Sequence, residues 1–408
     1  MEKVDNNKKY IILGILFIAW FVGYCDKMAI NVAAIPISKE YGLNPTQVGF
    51  LISSFSFGMA IMSLFGGYFA DKYESKKLII VIVSIWAIFS TLTGMSWSFV
   101  SLMVIRFMYG CAEGIFPPAS SVTIAENFKK EQFGRAKSFL ISAGQLGTAF
   151  AGLIIAYLAF SYGWRKAFFI FAIADLIIAL SLYLLNKNEK NTGKSTQKTK
   201  SKKVPLKEAF KNPIVWKTPI IQFGVGFLMW GLNSWLPQYW VNVKHLDIKT
   251  MATYSMIPAL ASFVFVNISG WIIDKYFVGR EKIAIIASLI IMCISVFLMY
   301  NTGSIVLGFI YQTIANLGVC CLSPAFYTLV LKYVRKDLVG TATGFIAFGS
   351  SVAGIIAPLI MGLSITLLKG SYIAVFGMII VILILCIFLA ATINTREQAE
   401  KNMNEQNL

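Results

Sequence analysis

Residues 100–124 read VSLMVIRFMYGCAEGIFPPASSVTI, a stretch long and apolar enough to cross a bilayer. Its interior nonetheless carries Arg106 and Glu113. An ionisable side chain at membrane depth costs at least about 2.5–3.5 kcal/mol on insertion scales, so two on one helix need partners away from lipid. Seven positions are close to two helical turns, which sets both groups on nearly the same face, about 10.5 Å apart along the axis. Gly110 and Gly114 open that neighbourhood to a close neighbour, and Pro117 and Pro118 loosen the helix below it. The pattern predicts a charged path facing an internal cavity, with the rest of the chain as its housing.

That housing lies in a membrane. Of 408 residues, 57% are hydrophobic and only 13% charged, whereas a soluble chain is nearer a quarter charged. Twelve spans are predicted, at residues 10–34, 47–69, 78–94, 99–124, 136–160, 167–185, 215–237, 251–273, 283–300, 305–331, 340–367 and 371–393. The net charge of +17 raises the question of nucleic acid, but the charges are placed otherwise. With the N-terminus inside, Lys27 and Arg106 fall in the membrane. Only six of the other Lys and Arg residues fall outside: Lys39, Arg165, Lys166, Lys244, Lys249 and Lys369. The positive-inside rule then puts both termini in the cytoplasm, most simply of a cell that carries the protein in its plasma membrane. The first apolar run is too long for a signal peptide and lacks a small-residue cleavage site, so it is read as a retained helix. All six cysteines fall in spans without disulfide or metal spacing, so neither a metal nor a cofactor is expected.

Asp26 and Lys27 lie in the first span, about 24 Å along the helix from residue 10. Adjacent helical residues point about 100° apart. The two are therefore expected to face different partners across a cavity, the alternative being a self-neutralising pair near the surface. The second span ends in GGYFADKYESKK, and GWIIDKYFVGREK repeats the device 203 residues later: Gly67, Asp71 and Lys72 against Gly270, Asp274 and Lys275. The glycine is read as permitting close helix approach, and the aspartate as bonding or capping a neighbouring helix end. GRAKSF at Gly134 and GTATGF at Gly340 extend the repeat, as do Pro118 and Pro324. Two repeated halves, residues 1–186 and 214–408, are the internal symmetry of a transporter fold. Residues 187–213 between them are polar and lysine-rich, a cytoplasmic linker with a short amphipathic piece around Leu206 and Phe210.

With these motifs the chain resembles the major facilitator superfamily over its whole length, although Glu74 stands where that superfamily usually has glycine. The segments YCDKMAINVA, RFMYGCAEGIFPP, SAGQLGTA and YGWRKAFF look like its anion:cation symporter family, which includes sugar-acid transporters, sialin and vesicular glutamate transporters. The resemblance implies an all-α membrane fold of twelve helices in two pseudo-symmetric six-helix halves. It also implies alternating-access transport of small organic anions, often with protons. It gives a proton role to Asp26, matches Arg106 and Glu113 as an Arg–Glu pair seven apart in the fourth span, and gives site positions to Tyr24 and Gln145. The proton role of Glu113 and the anion-binding role of Arg106 are read from their own chemistry at membrane depth. Lys27 replaces the family's usual arginine. Met59, Ala347 and Ser351 stand where many sugar-acid members have a tyrosine and two asparagines, which weighs against a polyhydroxylated cargo.

A small anion entering a protein must exchange its water shell for fixed donors. Arg106 offers a planar fork for a carboxylate or sulfonate, and Lys27 a compact point charge. The second half contributes neutral polar groups. Asn233, Trp235, Gln238 and Tyr239 come from the seventh span; Tyr311, Gln312 and Asn316 from the tenth; and Ser351 joins the candidate anion site from the eleventh. With the site empty, Glu113 is expected to hold Arg106, and its protonation to free the guanidinium for cargo. Asp175, in the sixth span, is read as making a structural hydrogen bond, His245 as a solvated loop residue, and Trp97 and Trp164 as interfacial anchors. The expected partners are thus a small organic anion, a proton and the lipid bilayer, with the monomer as the working unit. The alternatives are an antiporter of organic phosphates or drugs and a transporter-like sensor. No nucleophile–base pair, metal spacing or phosphate loop points to an enzyme.

Overall fold

The structure, a computed structural model, describes residues 6–128, 130–187, 212–277, 279–334 and 339–393. Twelve helices occupy them: α1 (Asn6–Tyr41), α2 (Pro45–Lys72), α3 (Ser75–Gly94), α4 (Phe99–Asn127), α5 (Lys130–Tyr162), α6 (Trp164–Lys187), α7 (Pro213–Asn242), α8 (Ile248–Tyr276), α9 (Glu281–Asn301), α10 (Ile305–Tyr333), α11 (Val339–Leu367) and α12 (Ile373–Ala391). Eleven of them contain a segment long and apolar enough to span a membrane. The exception is α7, whose 30 residues include four tryptophans, three prolines, two glutamines, two asparagines and a lysine. A helix that polar gains its burial from protein neighbours rather than from lipid.

Several helix starts are legible locally. Asn44 accepts from the Gln47 N–H while the Gln47 side chain accepts from the Asn44 N–H, both at 2.9 Å. Ser98 and Ser101 repeat this capping box at the head of α4. Gly42 and Gly163, with φ of 65° and 86°, provide the left-handed residue after α1 and after α5.

Contacts divide the chain into two units, residues 1–197 with 237–256, and residues 198–236 with 257–408. In the first unit, α2 packs on α4, α1 on α5, and α3 on both α4 and α6. Its core gathers Leu16, Trp86, Tyr109 and Phe116. The α2–α4 contact is backbone against backbone. A Cβ at Gly110 would lie 2.1 Å from the Phe55 carbonyl oxygen, and one at Gly114 2.6 Å from that of Met59. The two glycines therefore admit a close neighbour, and that neighbour is α2. Within the second unit, α9 packs on α10 and α12, and the Trp235 indole donates to the Pro358 carbonyl at 3.1 Å.

Three expectations need correction or lie elsewhere. A Cβ built at Gly270 meets nothing within 4 Å, so close helix approach does not explain that glycine. Trp97 is exposed as an anchor would be, but Trp164 is buried and donates from Nε1 to Glu40 at 2.7 Å. Residues 188–211, with Leu206 and Phe210, lie outside the described residues, as do the surroundings of Gly67 and the side chains of Asp71 and Asp274. Lys72 and Lys275 are exposed, each beside an aromatic ring.

Candidate functional site

The charged residues of α1 and α4 meet inside the first unit. Asp26 and Arg106 are both 0% exposed, Glu113 is 1% exposed and Lys27 5%. Arg106 donates from Nη1 to Asp26 Oδ1 at 2.8 Å. Lys27 Nζ lies 3.5 Å from Glu113 Oε1. Asp26 and Lys27 thus turn to different partners on α4, as adjacent helical positions require. The two-turn spacing of Arg106 and Glu113 lets one helix hold both partners.

The pairing differs from expectation. Glu113 holds Lys27, and Arg106 belongs to Asp26. The close α2–α4 contact leaves the two α4 charges facing α1, where Asp26 and Lys27 arrive one residue apart and take one each.

Two such pairs in a sealed core are not automatically stabilising. An ion pair at about 4 Å is worth roughly 4 kcal/mol at an effective dielectric of 20. Desolvation costs several kcal/mol per ion, so further hydrogen bonds have to make up the difference. Asp26 has a second donor, since the Ser90 hydroxyl of α3 bonds its Oδ2. Arg106 Nη2 approaches the Asp26 and Lys27 carbonyls, each at 3.5 Å. Its guanidinium carbon lies 4.9 Å from the Tyr109 ring centroid, 5.5 Å from Phe55 and 5.8 Å from Phe168. Lys27 Nζ sits 4.7 Å from the Tyr24 centroid and 5.2 Å from Phe55, with Met59 Sδ at 3.7 Å. Cation–π contacts of this kind contribute about 0.5–2 kcal/mol each.

Ser90, Phe55 and Tyr109 had not been singled out from the sequence. Ser90 is one of four hydroxyl residues in its span, with Ser84, Thr91 and Thr93, and nothing in the sequence sets it apart; Tyr109 stands one turn after Arg106, which is the only signal it carries.

The remaining candidates are less concentrated. Tyr24 is half-buried, edge-on to Trp20 at 5.0 Å, and seated against Gly144 and Gly147 of α5. Gln145, also half-buried, stands between those two glycines. In the second unit Asn233 and Asn316 are half-buried, and Gln312 is buried with Oε1 unbonded among the described residues. Ser351 spends its hydroxyl on the Ala347 carbonyl of its own helix at 3.1 Å. Tyr239, grouped with the first unit, is buried against Trp240. Trp235 is a packing residue, its N–H being committed to Pro358. His245 is an exposed loop residue. Asp175 makes no structural hydrogen bond: it is fully buried, and neither carboxyl oxygen has a partner among the described residues.

Residues 16–358 and 277–407 match the Major Facilitator Superfamily. The chain belongs to that superfamily. Its relatives include the probable sulfoacetate transporter SauU of Cupriavidus necator, 27% identical over 393 residues and covering 89% of each chain. The hexuronate transporter of Bacillus subtilis is 27% identical over 371 residues, 88% of each chain. The probable galactarate/D-glucarate transporter GarP of Escherichia coli is 24% identical over 405 residues, 89% of this chain and 90% of its own. Among solved structures, an inward-facing bacterial homologue of the lysosomal transporter Spinster superposes with a TM-score of 0.80 at 18% identity, covering 95% of this chain and 97% of its own. A D-xylose–proton symporter gives 0.74 at 14%, covering 95% and 99%. Membership of the Major Facilitator Superfamily makes this chain an all-α, multi-pass membrane transporter and not an enzyme.

Proposed function

We propose that the protein carries a small organic anion, a carboxylate, sulfonate or sugar acid, into the cytoplasm together with a proton, by alternating access. The relatives named for sulfoacetate, hexuronate and galactarate/D-glucarate support the cargo class. The observation that carries the coupling is the commitment of both buried cations to carboxylates. An anion cannot take Arg106 while Asp26 holds it, nor Lys27 while Glu113 does. Protonating a carboxyl breaks its pair and frees the cation for cargo. Proton and anion then strengthen each other's binding by the same factor, as linkage demands. Arg106 presents a fork to a carboxylate or sulfonate and Lys27 a point charge, with Tyr24 and Gln145 beside them. Asn233, Gln312, Asn316 and Ser351 of the second unit, and Tyr239, are further candidates for contact with the cargo. The protein works as a monomer in the plasma membrane with both termini cytoplasmic. The loops at Gly67, Asp71 and Lys72 and at Gly270, Asp274 and Lys275 act in the conformational change.

The test is uptake of labelled sulfoacetate, glucuronate and galactarate into proteoliposomes under an imposed pH gradient. At least one should accumulate in wild type. Glu113→Gln and Asp26→Asn should keep counterflow exchange yet lose gradient-driven accumulation. If both variants concentrate the anion as wild type does, these carboxyls do not couple the proton.

A further inference from the structure

The charged core has one carboxyl too many. Asp26 and Glu113 match Arg106 and Lys27 in number, but Asp175 of α6 is a third buried acid. It belongs to the inward stripe of its helix, with Phe168, Phe171, Ala172, Ile178 and Ala179 also buried, while Ile173, Leu176 and Ile177 face outward. Phe168 of the same stripe lies under the Arg106 guanidinium. Asp175 therefore looks into the same interior as the ion pairs, and its carboxyl oxygens are unbonded among the described residues. Two donors in that interior are likewise buried and unbonded, Trp86 Nε1 and the Tyr109 hydroxyl. The Tyr109 hydroxyl is in electrostatic range of Asp175, Asp26, Glu113 and Arg106 together.

The surroundings of Asp175 offer it no cation of its own. The helices packed on α6 are α3, α1 and α5. The acids in electrostatic range of it are Asp26 of α1 and Glu113 of α4. Lys27 and Arg106 already serve those two. The membrane portion of α3 brings Ser90 and Trp86, which do not titrate, and α5 has no Asp, Glu, Lys, Arg or His after Lys137. A buried carboxylate with neither cation nor hydrogen bond takes up a proton rather than bear the desolvation cost.

We propose that Asp175 is a third protonatable group of the transport core, neutral while Asp26 and Glu113 are ionised, and that it exchanges its proton in response to their charge. Asp26, Glu113 and Asp175 then form one coupled acid set on two cations, with a resident proton that moves when a pair opens. This extends the proton-coupling reading, but its test needs no cargo, so the failure of one is distinct from the failure of the other.

The test is infrared spectroscopy of the purified full-length protein in lipid nanodiscs, following the carbonyl band of a protonated carboxylic acid. Wild type at neutral pH should show the band, Asp175→Asn should lack it, and Glu113→Gln should keep it. In Asp26→Asn the band should vanish at a pH lower by about one unit, the scale on which interacting acids titrate as a set. A thermal melt checks that each variant is folded. If Asp26→Asn does not fold, Glu113→Gln is titrated in its place with the same expectation. Absence of a band assignable to Asp175 at neutral pH overturns the proposal. So does a titration indifferent to loss of the neighbouring acid, which would make Asp175 a static neutral group.

Discussion

Because Arg106 and Asp26 hold each other, removing one of them should harm the fold more than removing both. In Arg106→Gln the Asp26 carboxylate keeps only the Ser90 hydroxyl as a donor in a fully buried site. Breaking a buried pair from one side costs about 3–5 kcal/mol. The aromatic contacts of the guanidinium add about 0.5–2 kcal/mol. In Asp26→Asn the guanidinium keeps two backbone carbonyls at 3.5 Å and the ring faces, none of which carries a compensating charge. The cost is again about 3–5 kcal/mol. The two pair-breaking costs, if independent and with the aromatic contacts set aside, would sum to about 6–10 kcal/mol in the double variant. The double variant removes both charges together, leaving neither buried ion uncompensated, and with the aromatic contacts again set aside should cost about 2–4 kcal/mol. The coupling energy is then at least about 2 kcal/mol, well above the roughly 0.5 kcal/mol within which independent sites add. Reversible unfolding of the four proteins in mixed micelles measures it. If the costs of the single variants simply add, the pair is not a unit and the account of the core as interlocked charges is wrong.

Ser90→Ala removes the second donor to Asp26 and should destabilise by about 1.5–3 kcal/mol, the usual worth of a hydrogen bond to a charged group; a loss within the error of the same unfolding assay would show that Asp26 does not need it. Gly110→Ala drives a methyl into the Phe55 carbonyl of α2, so the two helices must separate. A loss of at least about 1–3 kcal/mol is expected, together with weaker anion binding, and wild-type stability in mixed micelles would contradict the close contact. Lys27→Arg keeps a cation against Glu113 and should retain anion binding, whereas Lys27→Gln should lose it; equal affinities by calorimetry would remove Lys27 from the site.

Much of this molecule was legible before any coordinate. The length and apolarity of the spans dictated helices, because backbone polar groups in lipid have no partner outside their own segment. The same physics made Asp26, Lys27, Arg106 and Glu113 conspicuous, since charge at membrane depth must be matched by charge. Helical periodicity also allowed Asp26 and Lys27 to face different partners. Which cation takes which carboxylate was beyond the sequence, because four groups within reach of one another allow more than one neutral pairing. The choice depends on the angle at which α4 lies between α1 and α2. That angle follows from Gly110 and Gly114 meeting the Phe55 and Met59 carbonyls, contacts separated by some fifty residues of chain. The role of Ser90 and the isolation of Asp175 are tertiary for the same reason. A hydroxyl or carboxyl in a span has a meaning only once the neighbouring helix has brought, or failed to bring, its partner.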